Sequence, residues 1–220
     1  MSKPRLISFK VCPFAQRSSL LLKEKQIDFE LAFINPDEPP AWFVELSPTG
    51  KVPVLEVDGT AIFESSVISE YLDERYPPSI HPSDLLTKAT NRAWVEHTSN
   101  IYTSIFQIII AKDKTAFKSA QASIDEQLDL LDEVMLETPW FNGADFSMLD
   151  IAAAPIAVRL DILKEVCGLD LLEEYPKLSA WFERLLARET VQASYPPELK
   201  MMLTMRLKGN KSYIYTSETF

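Results

Sequence analysis

The chain is short of cysteine, of histidine and of positive charge. Only two cysteines, Cys12 and Cys167, occur among its 220 residues, and they lie far apart in sequence. That excludes a disulfide-stapled framework and makes the reducing cytoplasm the expected home. Two histidines, His81 and His97, with no clustered cysteines leave little material for a zinc site, so no metal is expected. Lys and Arg number 22 against 32 Asp and Glu, a formal net charge of −10. This balance argues against a nucleic-acid backbone or an anionic membrane surface as principal partner. Long apolar runs are missing as well. The stretch Ile105–Ala111 contains seven residues, Gln107 among them, too few to span a bilayer. Met1-Ser2-Lys3-Pro4-Arg5 carries no apolar signal region, and no repeat or low-complexity segment appears. What is present is 46% hydrophobic, enough for a buried core, in a length that suits two small domains.

The stretch around which the rest is arranged is Cys12-Pro13-Phe14-Ala15-Gln16-Arg17. Before it, Pro4–Phe9 is short and partly alternating, as an opening strand would be. After it, Arg17–Lys25 lacks Gly and Pro and is rich in Leu and Lys, which predicts helix. Proline is welcome in a first helical turn, where its missing N–H is not needed. Cys12 therefore falls at or just before a helix N-terminus. Unpaired N–H groups and the positive end of the helix dipole there favour thiolate over thiol. Such a position can lower a cysteine pKa from about 8.5 to roughly 3.5–7.5, that of a reactive nucleophile. The alternative is a buried thiol that merely packs.

The first eighty residues alternate strand and helix signals. Ile27–Phe33 reads as a half-buried strand, and Asn35–Pro40, with three prolines, as loop. Trp42–Leu46 reads as a short helix. Val52–Val57 and Thr60–Phe63 flank Asp58-Gly59, the strongest short-range hairpin signal a sequence offers. Glu64-Ser65-Ser66 follows, with Ser65 or Ser66 placed to cap a helix running through Tyr76. The order is β-α-β-α-β-β-α. Three prolines within Tyr76–Pro82 mark a linker, so the expected division is 1–78, a linker at 79–84, and a helical domain at 85–220. Leu85 to about Lys112 and a second stretch from Phe117 to Met135 carry apolar residues at helical spacing. Ser147-Met148-Leu149-Asp150 matches a capping box, which makes Ser147 and Asp150 structural caps in place of a catalytic pair. The polar and aromatic tail from Gly209 has no apolar period and is expected to be loosely held.

Taken together, these segments resemble the glutathione transferases. The resemblance rests on Cys-Pro-Phe-Ala at the first strand–helix turn, Val52-Pro53 opening the third strand, and Glu64-Ser65 opening the third helix. The all-helical half with its Ser-x-x-Asp box extends it over essentially the whole chain. Cys12–Arg17, Pro40–Phe43, Ile62–Ser65 and Glu70–Glu74 are most similar to the cysteine-type, omega-like branch.

The resemblance implies a thioredoxin-like α/β N-terminal domain joined to an all-α C-terminal domain. It implies glutathione as co-substrate and Cys12 as nucleophile. Phe14, Lys51, Val52, Pro53, Glu64 and Ser65 would bind glutathione. Val52 would pair through its backbone, Pro53 would be cis, Glu64 would meet the γ-glutamyl ammonium, and Ser65 its carboxylate. Ser65 as a plain helix cap and Lys51 as a solvated surface lysine remain open readings. Tyr102, Phe106 and Trp181 are candidates for a second-substrate pocket, although at such spacings each is more often core than pocket.

A cysteine in place of a catalytic hydroxyl implies thiol transfer, including deglutathionylation or dehydroascorbate-type reduction. Ala15 occupies the place of a resolving cysteine, so glutathione itself would resolve the mixed disulfide. The partners expected are glutathione, a small disulfide or electrophilic substrate, and a second copy in a homodimer. Two other readings compete. One is a conventional conjugating or dehalogenating transferase dependent on a hydroxyl such as Ser8. The other is a non-catalytic regulator or ligand carrier.

Overall fold

The computed structural model describes residues 3–216. Its elements form two units, each with its own core.

The first unit is built on four short strands: β1 (Arg5–Ser8), β2 (Glu30–Phe33), β3 (Val54–Val57) and β4 (Thr60–Phe63), in sheet order β2-β1-β3-β4. β1 and β2 run parallel, with Leu6 opposite Leu31, while β3 is antiparallel to both β1 and β4. The β3–β4 hairpin turns on Asp58 and Gly59 at φ 48° and 79°. A type I′ turn demands a positive φ at both central residues, which Asp-Gly tolerates. Interleaved with the strands are α1 (Pro13–Glu24), α2 (Ala41–Leu46) and α3 (Ser65–Arg75), completing the β-α-β-α-β-β-α thioredoxin-like order. Ile7, Phe43 and Val54 form a core cluster onto which Ala32, Ile34, Leu46, Val52 and Ala61 pack. α1 is buried continuously from Ala15 to Leu22, because it lies against β1, α3 and a late segment of the chain.

That late segment corrects the domain reading. Residues 189–196, with the short helix α8 (Glu189–Gln192), belong to the first unit and not to a continuous helical domain. Gln16 Nε2 donates to Ser194 Oγ at 3.1 Å, and the Thr190 hydroxyl donates to the Glu24 carboxylate. Sequence could not show it, because the bond spans 178 positions.

The first unit ends at Ile80, and its exit is held by a buried pair. Lys25 Nζ lies 2.8 Å from Asp73 Oδ1 and also donates to the carbonyls of Tyr76 (2.6 Å) and Pro78 (2.7 Å). Asp73 accepts in addition from the Ile80 N–H at 2.9 Å and from Ser79 Oγ. A buried ion pair is tolerable when its remaining donors and lone pairs are answered in this way.

The second unit comprises His81–Arg188 and resumes at Pro197. Its helices are α4 (Leu85–Ile110), α5 (Lys114–Val134), α6 (Met148–Cys167), α7 (Pro176–Ala187), α9 (Leu199–Gly209) and α10 (Tyr213–Thr216). α4 and α5 start at aspartate caps, Asp84 accepting from Thr87 N at 2.8 Å and Asp113 from Ala116 N at 2.9 Å. α6 is buried on every side from Met148 to Leu160, the mark of a central helix.

The tail is not loose as far as it is described. Tyr213 N donates to Ala111 O at 2.7 Å, its ring lies 5.6 Å from Phe117, and Ile214 is buried. The polar appearance of 209–216 hid two anchor residues too few to make a period. The rest of the tail, 217–220, lies outside the described residues.

Candidate active site

Cys12 sits at the N-cap of α1 with extended backbone (φ −72°, ψ 118°). Its own N–H donates to Phe9 O at 3.0 Å, closing the turn after β1, and its carbonyl accepts the first helical bond from Gln16 N at 3.1 Å. Pro13 follows at N1, where a missing donor costs nothing. The side chain is 7% exposed, with Sγ 4.0 Å from Val52 O. No acidic side chain stands in the first turn of α1, so the positive end of its dipole is left for a thiolate.

Val52 precedes a cis peptide bond to Pro53 and lies just outside β3. Its N–H has no hydrogen-bond partner among the described residues. The thiol thus stands beside a backbone segment with an open donor and a nearly open acceptor, what an added strand requires. Lys51 is exposed beside it, on a loop ordered by Ser47 Oγ donating to Lys51 O at 3.2 Å.

The start of α3 follows β4 and packs near α1. The N-cap here is Glu64, at φ 67° and ψ 116°, with no side-chain cap bond. A non-glycine residue in that region costs about 1–3 kcal/mol and persists only where its surroundings hold it. Glu64 is exposed. The capping reading of Ser65 is corrected: Ser65 is already inside the helix, 6% exposed, and its Oγ accepts from Arg17 Nη1 at 3.4 Å. A shift of one position converts a helix cap into a side chain pinned from α1.

Arg17 is the residue sequence reasoning passed over. It closes the Cys12 motif, yet no function attached to it. It is 1% exposed, with its guanidinium 5.9 Å from the ring of half-buried Phe14. The available signal was its place inside a run of small and apolar residues, Ala15 to Leu22, where an exposed arginine would be out of pattern.

The three pocket candidates separate. Trp181 is wholly buried, donating from Nε1 to Asp150 Oδ1 at 2.7 Å and packed on Phe141 and Phe182. Tyr102 is buried too, its hydroxyl donating to the Ala152 carbonyl. Both belong to the core of the second unit, which corrects the expectation that they line an open pocket; helical spacing marks a packed face without saying what it packs against. Phe106 alone is substantially exposed, at 40%, with the Arg206 guanidinium 5.1 Å from its ring.

Asp150 and Ser147 form a reciprocal capping box at the start of α6. The fully buried carboxylate accepts from Ser147 N (2.8 Å), Ser147 Oγ (2.7 Å), Phe141 N (3.0 Å) and the Trp181 indole. Burial pushes its pKa up, and the hydrogen bonds offset that only in part. Ser8, the alternative hydroxyl, is buried and donates to Phe9 O at 3.1 Å. Among the described residues no group of three or more His, Cys, Asp and Glu could hold a metal ion, and no helix is long and apolar enough to cross a membrane.

Residues 11–75 match the family model for the glutathione S-transferase N-terminal domain, and residues 92–184 that for the C-terminal domain. The chain is 33% identical over 201 residues to the pyrimidodiazepine synthase of Drosophila melanogaster, spanning 87% of this chain and 80% of that one. It is 35% identical over 181 residues to glutathione S-transferase omega-1 of Rattus norvegicus, spanning 80% and 74%. Among solved structures it is similar to glutathione transferase Omega 3C from Trametes versicolor, with TM-score 0.79 and 29% identity over 88% of this chain and 89% of that one.

Proposed function

The chain belongs to the glutathione S-transferase family, in its omega-like branch, and on that premise we propose that it is a glutathione-dependent thiol transferase with Cys12 as nucleophile. The observation that carries this is a single thiol at a helix N-terminus, 4.0 Å from the carbonyl of a backbone edge shaped to receive a peptide. Glutathione lies along Val52, ahead of cis-Pro53. Its γ-glutamyl ammonium meets Glu64 and its carboxylate Ser65 at the start of α3. Phe14 packs beside it, and Lys51 takes the glycyl carboxylate.

The Cys12 thiolate attacks the glutathionyl sulfur of a mixed disulfide. The old S–S bond breaks, the leaving thiolate takes a proton from water, and Cys12 is left disulfide-bonded to glutathione. A second glutathione thiolate attacks that glutathionyl sulfur, releasing glutathione disulfide and restoring the Cys12 thiolate. Ala15 offers no internal resolving thiol, which supports glutathione in that role. Of the second-substrate candidates only Phe106 is retained, for a small disulfide or electrophilic substrate. The free thiols of Cys12 and Cys167 support a reducing cytoplasm, and the family supports a homodimer.

The rival conjugating mechanism needs a hydroxyl to hold the glutathione thiolate, and the Ser8 hydroxyl is engaged in a hydrogen bond to Phe9 O. The test is glutathione-dependent reduction of a small mixed disulfide, coupled to NADPH oxidation, in wild type and Cys12→Ala. Loss of activity in the variant is the expected result. Equal activity in both would discard the mechanism in favour of conjugation. Bound glutathione with no turnover in either would mean a carrier or regulator.

A further inference from the structure

We propose that Arg17 is a positioning residue for the γ-glutamyl carboxylate, acting through the Ser65 hydroxyl. This rests on the reading of Ser65 given above and extends it to a residue with no direct ligand contact. A guanidinium is permanently charged, and taking it out of water is costly unless polar partners answer it. Arg17 is nevertheless buried, reaching from α1 to the first turn of α3, where Nη1 stands 3.4 Å from Ser65 Oγ. A donor pointing at a hydroxyl oxygen occupies a lone pair and turns the hydroxyl's own proton away.

That proton is unspent. Ser65 Oγ donates to no partner among the described residues, and the Ser65 carbonyl is taken by Ser69 Oγ at 2.8 Å. The result is a directed relay: guanidinium to hydroxyl oxygen, hydroxyl proton to an incoming carboxylate. Each bond polarises the next, so the hydroxyl is a stronger donor than an isolated serine. The N-terminal N–H groups of α3 face the same anion. In a chain of net charge −10, a buried cation one hydroxyl away also keeps the local potential favourable to an anionic ligand.

The test compares two ligands by calorimetry: S-methylglutathione, and its analogue with γ-aminobutyrate in place of γ-glutamate. The second lacks only the carboxylate in question, and methylation silences thiol chemistry. Wild type is expected to prefer the first by about tenfold or more, as for a hydrogen bond to a charged group. Ser65→Ala should remove most of the preference, leaving only what the α3 N–H groups supply. Arg17→Met should cut it at least about fivefold, and adding Arg17→Met to Ser65→Ala should change it no further, since Arg17 acts through the Ser65 hydroxyl.

Arg17→Lys keeps the charge and the aliphatic stem but not the planar fork. It should lower the preference about threefold, and it decides the matter should Arg17→Met fail to fold. A folded Arg17 variant with the wild-type preference overturns the proposal while leaving Ser65 in place. No preference in wild type overturns the reading of Ser65 itself. An arginine that merely packs would alter melting temperature and leave the ratio of the two affinities where it was.

Discussion

At the start of α6 every polar group is answered: the Asp150 carboxylate takes four hydrogen bonds from Ser147, Phe141 and Trp181 and sees no solvent. At the starts of α1 and α3 the opposite holds. Cys12 and Glu64 occupy the cap positions without any side-chain cap bond, neither first turn contains an acid, and Glu64 is held at a positive φ. The three longest helices of the second unit, α4, α5 and α6, begin at Asp or Ser caps. A helix N-terminus is an anion site by construction. One that carries its own acceptor is closed and serves stability; one left open at local cost is available to a ligand. The same backbone feature is thus closed at the start of α6 and left open at the starts of α1 and α3.

The contrast can be broken most forcefully at Asp150. Asp150→Ala leaves the Phe141 and Ser147 N–H groups and the Trp181 indole buried without an acceptor. It should destabilise the fold by about 3–5 kcal/mol in urea titration. Glutathione affinity of the folded fraction should stay within about twofold of wild type. A stable variant that had lost affinity would move Asp150 into the binding machinery.

Glu64→Gly is the mirror experiment. Relief of the positive φ should raise stability by about 1 kcal/mol, while loss of the carboxylate should weaken glutathione about tenfold. Stabilisation without loss of affinity would mean that the strain at α3 serves no ligand.

The smallest effect expected is in the pH dependence, where Asp73 and Asp150 are shifted in opposite directions. Burial raises Asp150 above its ordinary value of 3.8 despite its hydrogen bonds. The folded state therefore binds that proton more tightly than the unfolded one. Its stabilisation is complete below pH 3.8 and is lost as pH rises through the folded pKa. For Asp73 burial also pushes upward, but Lys25, Ser79 and the Ile80 N–H outweigh it, and the pKa falls below 3.8. Its contribution is present above pH 3.8 and is lost as pH falls through the lowered value. In urea midpoints taken across the acid range, Asp73→Asn should flatten the decline at low pH, and Asp150→Asn should remove the gain that precedes it. Parallel curves for both variants would erase the distinction.

Much of this was legible in the chain. Pro13 after Cys12, Asp58-Gly59 between two apolar runs, and Ser147 three residues before Asp150 each act through backbone sterics or bonds within a few residues, so the sequence alone carries them. Ser65 shows the limit of that reasoning. Whether a serine caps a helix or stands one step inside it turns on a single φ, here the positive φ of Glu64, which nothing local in the sequence announces. Tyr102 and Trp181 show another limit, because apolar periodicity identifies a face that is covered and is silent about the cover.

The sequence by itself determined the order of elements, the sites of helix initiation and hairpin reversal, and a cysteine at a helix N-terminus. These depend on local dihedral preferences and on donors and acceptors near in the chain. Only the tertiary structure decided that Arg17 is buried against Ser65, that 189–196 returns to brace α1, and that Lys25 and Asp73 pin the exit of the first unit. Those pairings join groups from 48 to 178 positions apart. Their stability comes from excluding water around polar partners that meet only once the first unit has packed.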